Sequence, residues 1–146
     1  MIAISGCCAR YNRPTRLHGD RYRTIFAERA FASSLRSPHL EAWVNHRRGT
    51  ILARRHDHTL GLADTSVGLF YTLYISDRIW CDVLTDAAAF GQLHGASVAW
   101  DPATARVVWS GDLCIIIAVE LVEISLCLGQ TRPQFSQTSA DLRAIV

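Results

Sequence analysis

The chain has 146 residues, 49% of them hydrophobic and 19% charged, a balance that excludes a disordered chain and suffices for one domain with a real core, residues 1–146. The formal net charge is only +2, but it is unevenly spread. Residues 1–56 hold 11 Arg against Asp20, Glu28 and Glu41, a net of +8, whereas residues 57–146 hold 4 Arg against 10 acids, a net of −6. The Arg stand singly or in pairs, so the imbalance reads first as two halves that neutralise each other on folding. A nucleic-acid-binding module is the competing reading, and it rests on this charge alone.

Ile2 to Tyr11 reads as a first strand, broken by Asn12-Arg13-Pro14-Thr15. Its opening lacks the charged start and unbroken apolar core of a signal peptide. Arg21 to Ile25 reads as a second short strand. Phe26, Ala30, Phe31 and Leu35 recur at helical spacing, which predicts a helix over Phe26 to Leu35, stopped by Pro38. His39 to His46 alternates loosely, and Gly49 turns the chain into Thr50 to Arg54. His56 to Ser66 is turn-rich. Gly68 opens Leu69 to Ile75, a β-branched and aromatic run that predicts a strand.

Ser76 or Asp77 can cap a second helix, whose apolar residues Ile79, Val83, Ala87 and Phe90, with Trp80, Leu84 and Leu93 beside them, make one wide face. Gly95 is the expected stop. Ser97 to Trp100 then reads as a short strand, Asp101 to Thr104 as a turn, and Arg106 to Trp109 as a further strand. Leu113 to Leu128 is the most apolar run. It is too short for a membrane helix and carries Glu120 and Glu123, so it reads as a strand buried on both faces. The polar segment from about Thr131 reads as a tail that frays. These elements predict an α+β fold: a mostly antiparallel, closed or nearly closed β-barrel with about two or three helices packed outside. The five cysteines (Cys7, Cys8, Cys81, Cys114 and Cys127) are odd in number and lack any C-x-x-C, which points to reduced, buried thiols. Zinc held by Cys7, Cys8, His56 and His58 has no ligand spacing in its favour.

Three patches carry the only chemistry that stands out: Asn45-His46, Gly95-Ala96-Ser97, and Leu121 to Ser125. Together they supply a base, a hydroxyl and a carboxylate, the inventory of a serine hydrolase. Ser97 falls where a helix stop gives way to a strand, a junction that exposes a hydroxyl among backbone N–H groups able to hold an oxyanion. His46, at a strand end, is the candidate base because imidazole titrates near neutrality. Glu123 lies on the Ile115, Ile117, Val119 and Leu121 side of the last strand, where an unpaired carboxylate is costly. The residues alone leave alternatives. A lone Gly-Ala-Ser has little specificity, five other histidines compete with His46, and Glu123 could pair with an Arg. Glu120, on the opposite face, is a rival carboxylate.

The order and setting of these patches resemble the prohead proteases of tailed phages, capsid-maturation serine proteases also found in gene transfer agents, with a fold similar to herpesvirus assemblin. Gly6 to Asn12 looks like the family's G-x-A-x-x-F-N strand, and Ala30 to Leu35 like its A-F-x-x-S-L segment. Val44-Asn45-His46 matches the strand ending in N-H, Ile51 to Arg54 the next short strand, and Gly68-Leu69 the G-L before the following one. Gly95 to Trp100 stands where the family has G-M-S-F-G-F, and Leu121 to Ser125 where it has L-x-E-V-S. The resemblance spans about residues 2–135. It implies that Ser97 is the nucleophile, His46 the general base and Glu123 the group that orients it, with no metal and no organic cofactor. It implies major capsid protein and scaffold segments as substrates, self-processing, self-association, no membrane, and action inside the assembling prohead in the bacterial cytoplasm. The chain departs from the pattern at Arg47, at Ala99-Trp100 and at Leu128 to Pro133. Those departures motivate a second reading, a catalytically inactive member that serves as a structural capsid-assembly factor.

Overall fold

A computed structural model describes residues 1–15, 21–135 and 137–145. Hydrophobic alternation and β-branched residues draw the described chain into nine strands, β1 (Ile2–Arg10), β2 (Arg23–Phe26), β3 (Glu41–Val44), β4 (Ala53–Arg54), β5 (Leu60–Asp64), β6 (Gly68–Ile75), β7 (Leu93–Ser110), β8 (Leu113–Leu128) and β9 (Asp141–Ala144), and one helix, α1 (Arg78–Ala89). One sheet has the order β5-β6-β1-β9 and is antiparallel throughout. In the other, β8 pairs antiparallel with β7 along one edge and parallel with β2 and then β3 along the other, and β4 follows β3.

The barrel expected from the sequence is therefore corrected to two open sheets, and the two or three expected helices to one. Closure needs a continuous ladder between sheet edges, since each unpaired strand edge must be satisfied along its length. Among the described residues only isolated bridges, Tyr11 to Phe26 and Pro14 to Ile25, link the end of β1 to β2. The sheets instead meet through side chains: Ile4, Leu69 and Leu73 from one and Ile116, Ile124 and Leu126 from the other share a single apolar core.

The helix expected over Phe26 to Leu35 is a chain of turns. Ala30, Ala32 and Ser34 donate their N–H groups three residues back, to Ala27, Arg29 and Phe31, and Arg29 takes a left-handed φ of 63°. The reason lies in β8, whose edge is bare between the end of β2 and the start of β3. Ala27 N–H donates to Ile116 O, Ala30 O accepts from Val119 N–H, and Ser34 Oγ accepts from Leu121 N–H. A regular helix would have claimed the Ala30 carbonyl for itself, leaving a strand amide without a partner. The apolar spacing recorded burial, not helix: Phe26, Ala30 and Phe31 all lie in the core, and the Phe31 ring packs 4.8 Å from that of Phe26.

β8 differs from its sequence reading too. It is buried on both faces only from Glu123 to Cys127; Ile117, Glu120 and Val122 are exposed. β7 runs unbroken from Leu93 to Ser110, so the turn expected at Asp101 to Thr104 is a register irregularity inside one strand. The segment read as turn-rich contains β5. The segment from Thr131 docks across both sheets: Phe135 is in the core, Tyr71 Oη donates to Ser139 O at 2.7 Å, and β9 pairs with β1.

α1 begins as read, with Asp77 Oδ1 accepting from Trp80 N–H at 3.0 Å. It ends earlier, at Gly91 (φ 68°) rather than Gly95. Its wide apolar face does not pack as a whole: Leu84 is buried, whereas Ile79 and Phe90 are 74% and 78% exposed. No helix among the described residues is long and apolar enough to cross a membrane. Truncation should separate the two apolar stretches. Phe31→Ala is expected to cost about 3 kcal/mol or more, while Ile79→Ser should stay within about 0.5 kcal/mol of the parent. Urea denaturation of the two variants checks this, and similar losses would contradict the packing.

Candidate active site

The site is built where β3 runs out beside the end of β8. Val44 pairs with Leu126, and the chain must then turn sharply away. Asn45 and His46 both adopt left-handed conformations, φ 51° and 58°, a region in which Asn and His are enriched among non-glycine residues. Each turn residue is tied to β8. Asn45 N–H donates to Leu126 O, Asn45 Oδ1 accepts from Leu128 N–H at 2.7 Å, and His46 N–H donates to Ser125 Oγ at 3.0 Å. Thr50 closes the turn by donating its hydroxyl to Arg47 O at 2.6 Å.

This turn carries the His46 ring back over β8, where Nδ1 hydrogen-bonds Glu123 Oε1. Glu123 is 1% exposed. A carboxylate so deeply buried needs donors, and it has two: the imidazole on Oε1 and Ser125 Oγ–H on Oε2 at 2.7 Å. Burial first, and the Glu123 charge second, push the Cys127 thiol up to about 11, so that neighbour stays a neutral thiol at physiological pH. Glu120, the rival carboxylate, is exposed on the other face of β8.

Ser97 sits inside β7 rather than at a helix-to-strand junction, four residues beyond the strand's start. It lies opposite Ser125 in the ladder, and Ala99 lies opposite Glu123, so all four side chains share one face. Ser97 and His46 line the same open cleft of about 500 Å³, with Trp100, Pro102, Arg132 and Gln134. Ser97 Oγ accepts from the backbone N–H of Gln134 at 3.4 Å. Among the described residues it makes no hydrogen bond to His46. The three sequence-predicted residues are thus neighbours, with His46 and Glu123 in direct contact and Ser97 facing His46's cleft.

Two features of the site were not read from the sequence. In sequence Ser125 is only the end of a motif, although a serine two residues from a buried carboxylate on one strand must share its face. The second is the wall formed by Arg132 and Gln134. Arg132 is anchored by Nη1 donating to Gly129 O at 2.7 Å, and a fully buried Phe135 pins the segment. The close approach of that wall favours glycine at position 95. Gly95 has φ 118°, and a Cβ there would stand 2.9 Å from Thr138 Oγ1 and 3.3 Å from Pro133 Cγ. Of the departures from the family pattern, Trp100 is accommodated by packing edge-on against Phe26, centroids 5.7 Å apart, and Arg47 is exposed.

A buried carboxylate on an imidazole, beside a cleft lined by a hydroxyl, is the set of groups that hydrolases of the serine type employ. The model of the caudovirus prohead serine protease family matches residues 1–145, and the chain belongs to that family. Neither the curated proteins nor the solved structures contain a match to it. Membership implies a protease of the phage capsid-maturation class. Gly95→Ala is expected to push the Pro133–Thr138 segment off β7 and to speed hydrogen exchange at the Gln134 amide by about tenfold or more, the effect of roughly 1.4 kcal/mol of local stability. An unchanged Gln134 exchange rate would show that the wall does not need the glycine.

Proposed function

We propose that the chain is a serine endopeptidase that cleaves scaffold and capsid-protein segments during prohead maturation, with Ser97 as nucleophile, His46 as general base and Glu123 as the group that orients the base. The observation that carries this is the Glu123–His46 pair. A carboxylate on Nδ1 fixes the tautomer in which Nδ1 holds the proton, leaving Nε2 as a lone-pair acceptor. Nε2 is the ring nitrogen free to serve the cleft that Ser97 lines.

The reaction follows from these positions. Ser97 Oγ attacks the scissile carbonyl carbon as its proton passes to His46 Nε2, and the buried Glu123 charge stabilises the imidazolium formed. The tetrahedral intermediate collapses, His46 returns the proton to the departing amine, and an ester links the peptide's acyl half to Ser97. Water, deprotonated by the same imidazole, hydrolyses that ester. Ser97 Oγ accepts from Gln134 N–H, so attack begins with rotation of the hydroxyl toward the imidazole; catalytic hydrogen bonds often tighten only in the transition state. The Gln134 N–H beside Ser97 Oγ and the Arg132 side chain lining the cleft supply positive potential for the oxyanion.

In this reading the substrates include the chain itself, and the work is done inside the assembling prohead of an infected bacterium. Ser97→Ala and His46→Ala should each lower cleavage of the scaffold segment by at least about 1,000-fold while leaving the far-ultraviolet dichroism and melting temperature near those of the parent. Fluorophosphonate labelling of the parent, lost in Ser97→Ala, provides the direct check. A folded parent that takes no label and leaves scaffold and capsid protein intact would instead favour an assembly factor without catalysis.

A further inference from the structure

We propose that Ser125 is a positioning residue that holds the His46–Glu123 pair in register with Ser97, an inference that rests on the protease reading above. Its hydroxyl has one proton and two lone pairs. The proton goes to Glu123 Oε2 at 2.7 Å, and a lone pair accepts the backbone N–H of His46 at 3.0 Å. Ser125 is therefore bonded at once to the main chain that carries the base and to the carboxylate that orients the base's ring. Across the ladder its partner is Ser97. One buried residue thus touches the mounting of each of the three groups.

Each bond has a distinct physical effect. Glu123 is a strand residue with a long side chain and, without a second partner, its carboxylate could rotate about its terminal torsion, which is broad. The Ser125 donor occupies Oε2 and so commits Oε1 to Nδ1. The acceptor bond acts on the backbone. His46 sits at φ 58°, a conformation that persists only where the surroundings over-determine it, and the bond to Ser125 is one of the ties that do so. Ser125 is fully buried and lies outside the residues lining the cleft. Its influence on a peptide substrate is consequently indirect, through the orientation of the imidazole. A residue of this kind changes the chemical step rather than substrate affinity, and a misplacement of the base by about 1 Å is enough for a loss on the order of 100-fold.

The experiment pairs kinetics with spectroscopy of the ring. In the parent, ¹⁵N–¹H correlation spectra of the imidazole, assigned by difference with His46→Ala, should show His46 as the Nδ1–H tautomer. Ser125→Ala should give mixed tautomers and lower kcat on a scaffold peptide by ~100-fold, with KM changed by less than about 2-fold. Ser125→Thr, which keeps the hydroxyl, should restore the parent tautomer and most of the rate. A folded Ser125→Ala with the parent's ring spectrum and kcat overturns the proposal, as does a folded Ser125→Thr that behaves like the alanine variant. The protease reading fails separately: a parent that takes no fluorophosphonate and cleaves no scaffold sinks it, while the ring spectra of the same samples still decide whether Ser125 sets the His46 tautomer.

Discussion

β8 has sixteen residues with hydrogen-bonding groups along both edges, and leaving buried backbone groups unpaired is prohibitively costly. One edge is met by β7 along almost its whole length. The other is met in three pieces: β2, the turns after it, and β3. That division decides much of the rest. β2 and β3 lie parallel to β8, so the chain between them must travel along the strand, and it does so as turns whose carbonyls and hydroxyls serve β8. β3 ends beside the last residues of β8, and the His46 turn follows directly. The base is delivered to Glu123 because β3 is the final piece on that edge.

The same strand concentrates polar groups where burial is deepest. Glu123, Ser125 and, through the ladder, Ser97 occupy one face within a few residues of each other. A carboxylate and two hydroxyls in that setting weaken a core unless they satisfy one another. Here the carboxylate receives an imidazole and a hydroxyl, and the second hydroxyl receives a main-chain amide. The cost is offset by a hydrogen-bonded network, and it is this network that the proposed chemistry uses.

Parts of this were legible from residue order and parts were not, for different reasons. Ser97, His46 and Glu123 stood out because each is a reactive group in a stretch otherwise fit for burial. Asp77 as a helix cap was readable because capping is local. The turns after Phe26 were misread because apolar spacing reports which side chains are buried, and helices and stacked turns share that spacing. What separates them is the demand of a strand some ninety residues further on, as in the Ser34 bond to Leu121. Barrel closure was overestimated for the same reason: which edge meets which is a property of pairs. The roles of Arg132, Gln134 and Ser125 are not legible in residue order, because they depend on what lies across a ladder or across the close approach at Gly95. The expected apolar face of α1 was a fair reading of the residues, yet only Leu84 turned out buried.

The segment that walls the cleft is tied back to earlier strands: Gln134 reaches back 37 residues to Ser97, and Ser139 reaches back 132 to Cys7. Neither bond can form until the segment that carries it has been synthesised. On a ribosome, a chain emerged as far as Gln130 already holds its base, hydroxyl and carboxylate, but has no wall opposite them and no β9 against β1. The topology therefore builds a delay into synthesis. A nascent chain cannot present a finished cleft until the segment carrying Arg132, Gln134 and Ser139 has emerged and docked, so completion of the cleft is timed by strand order.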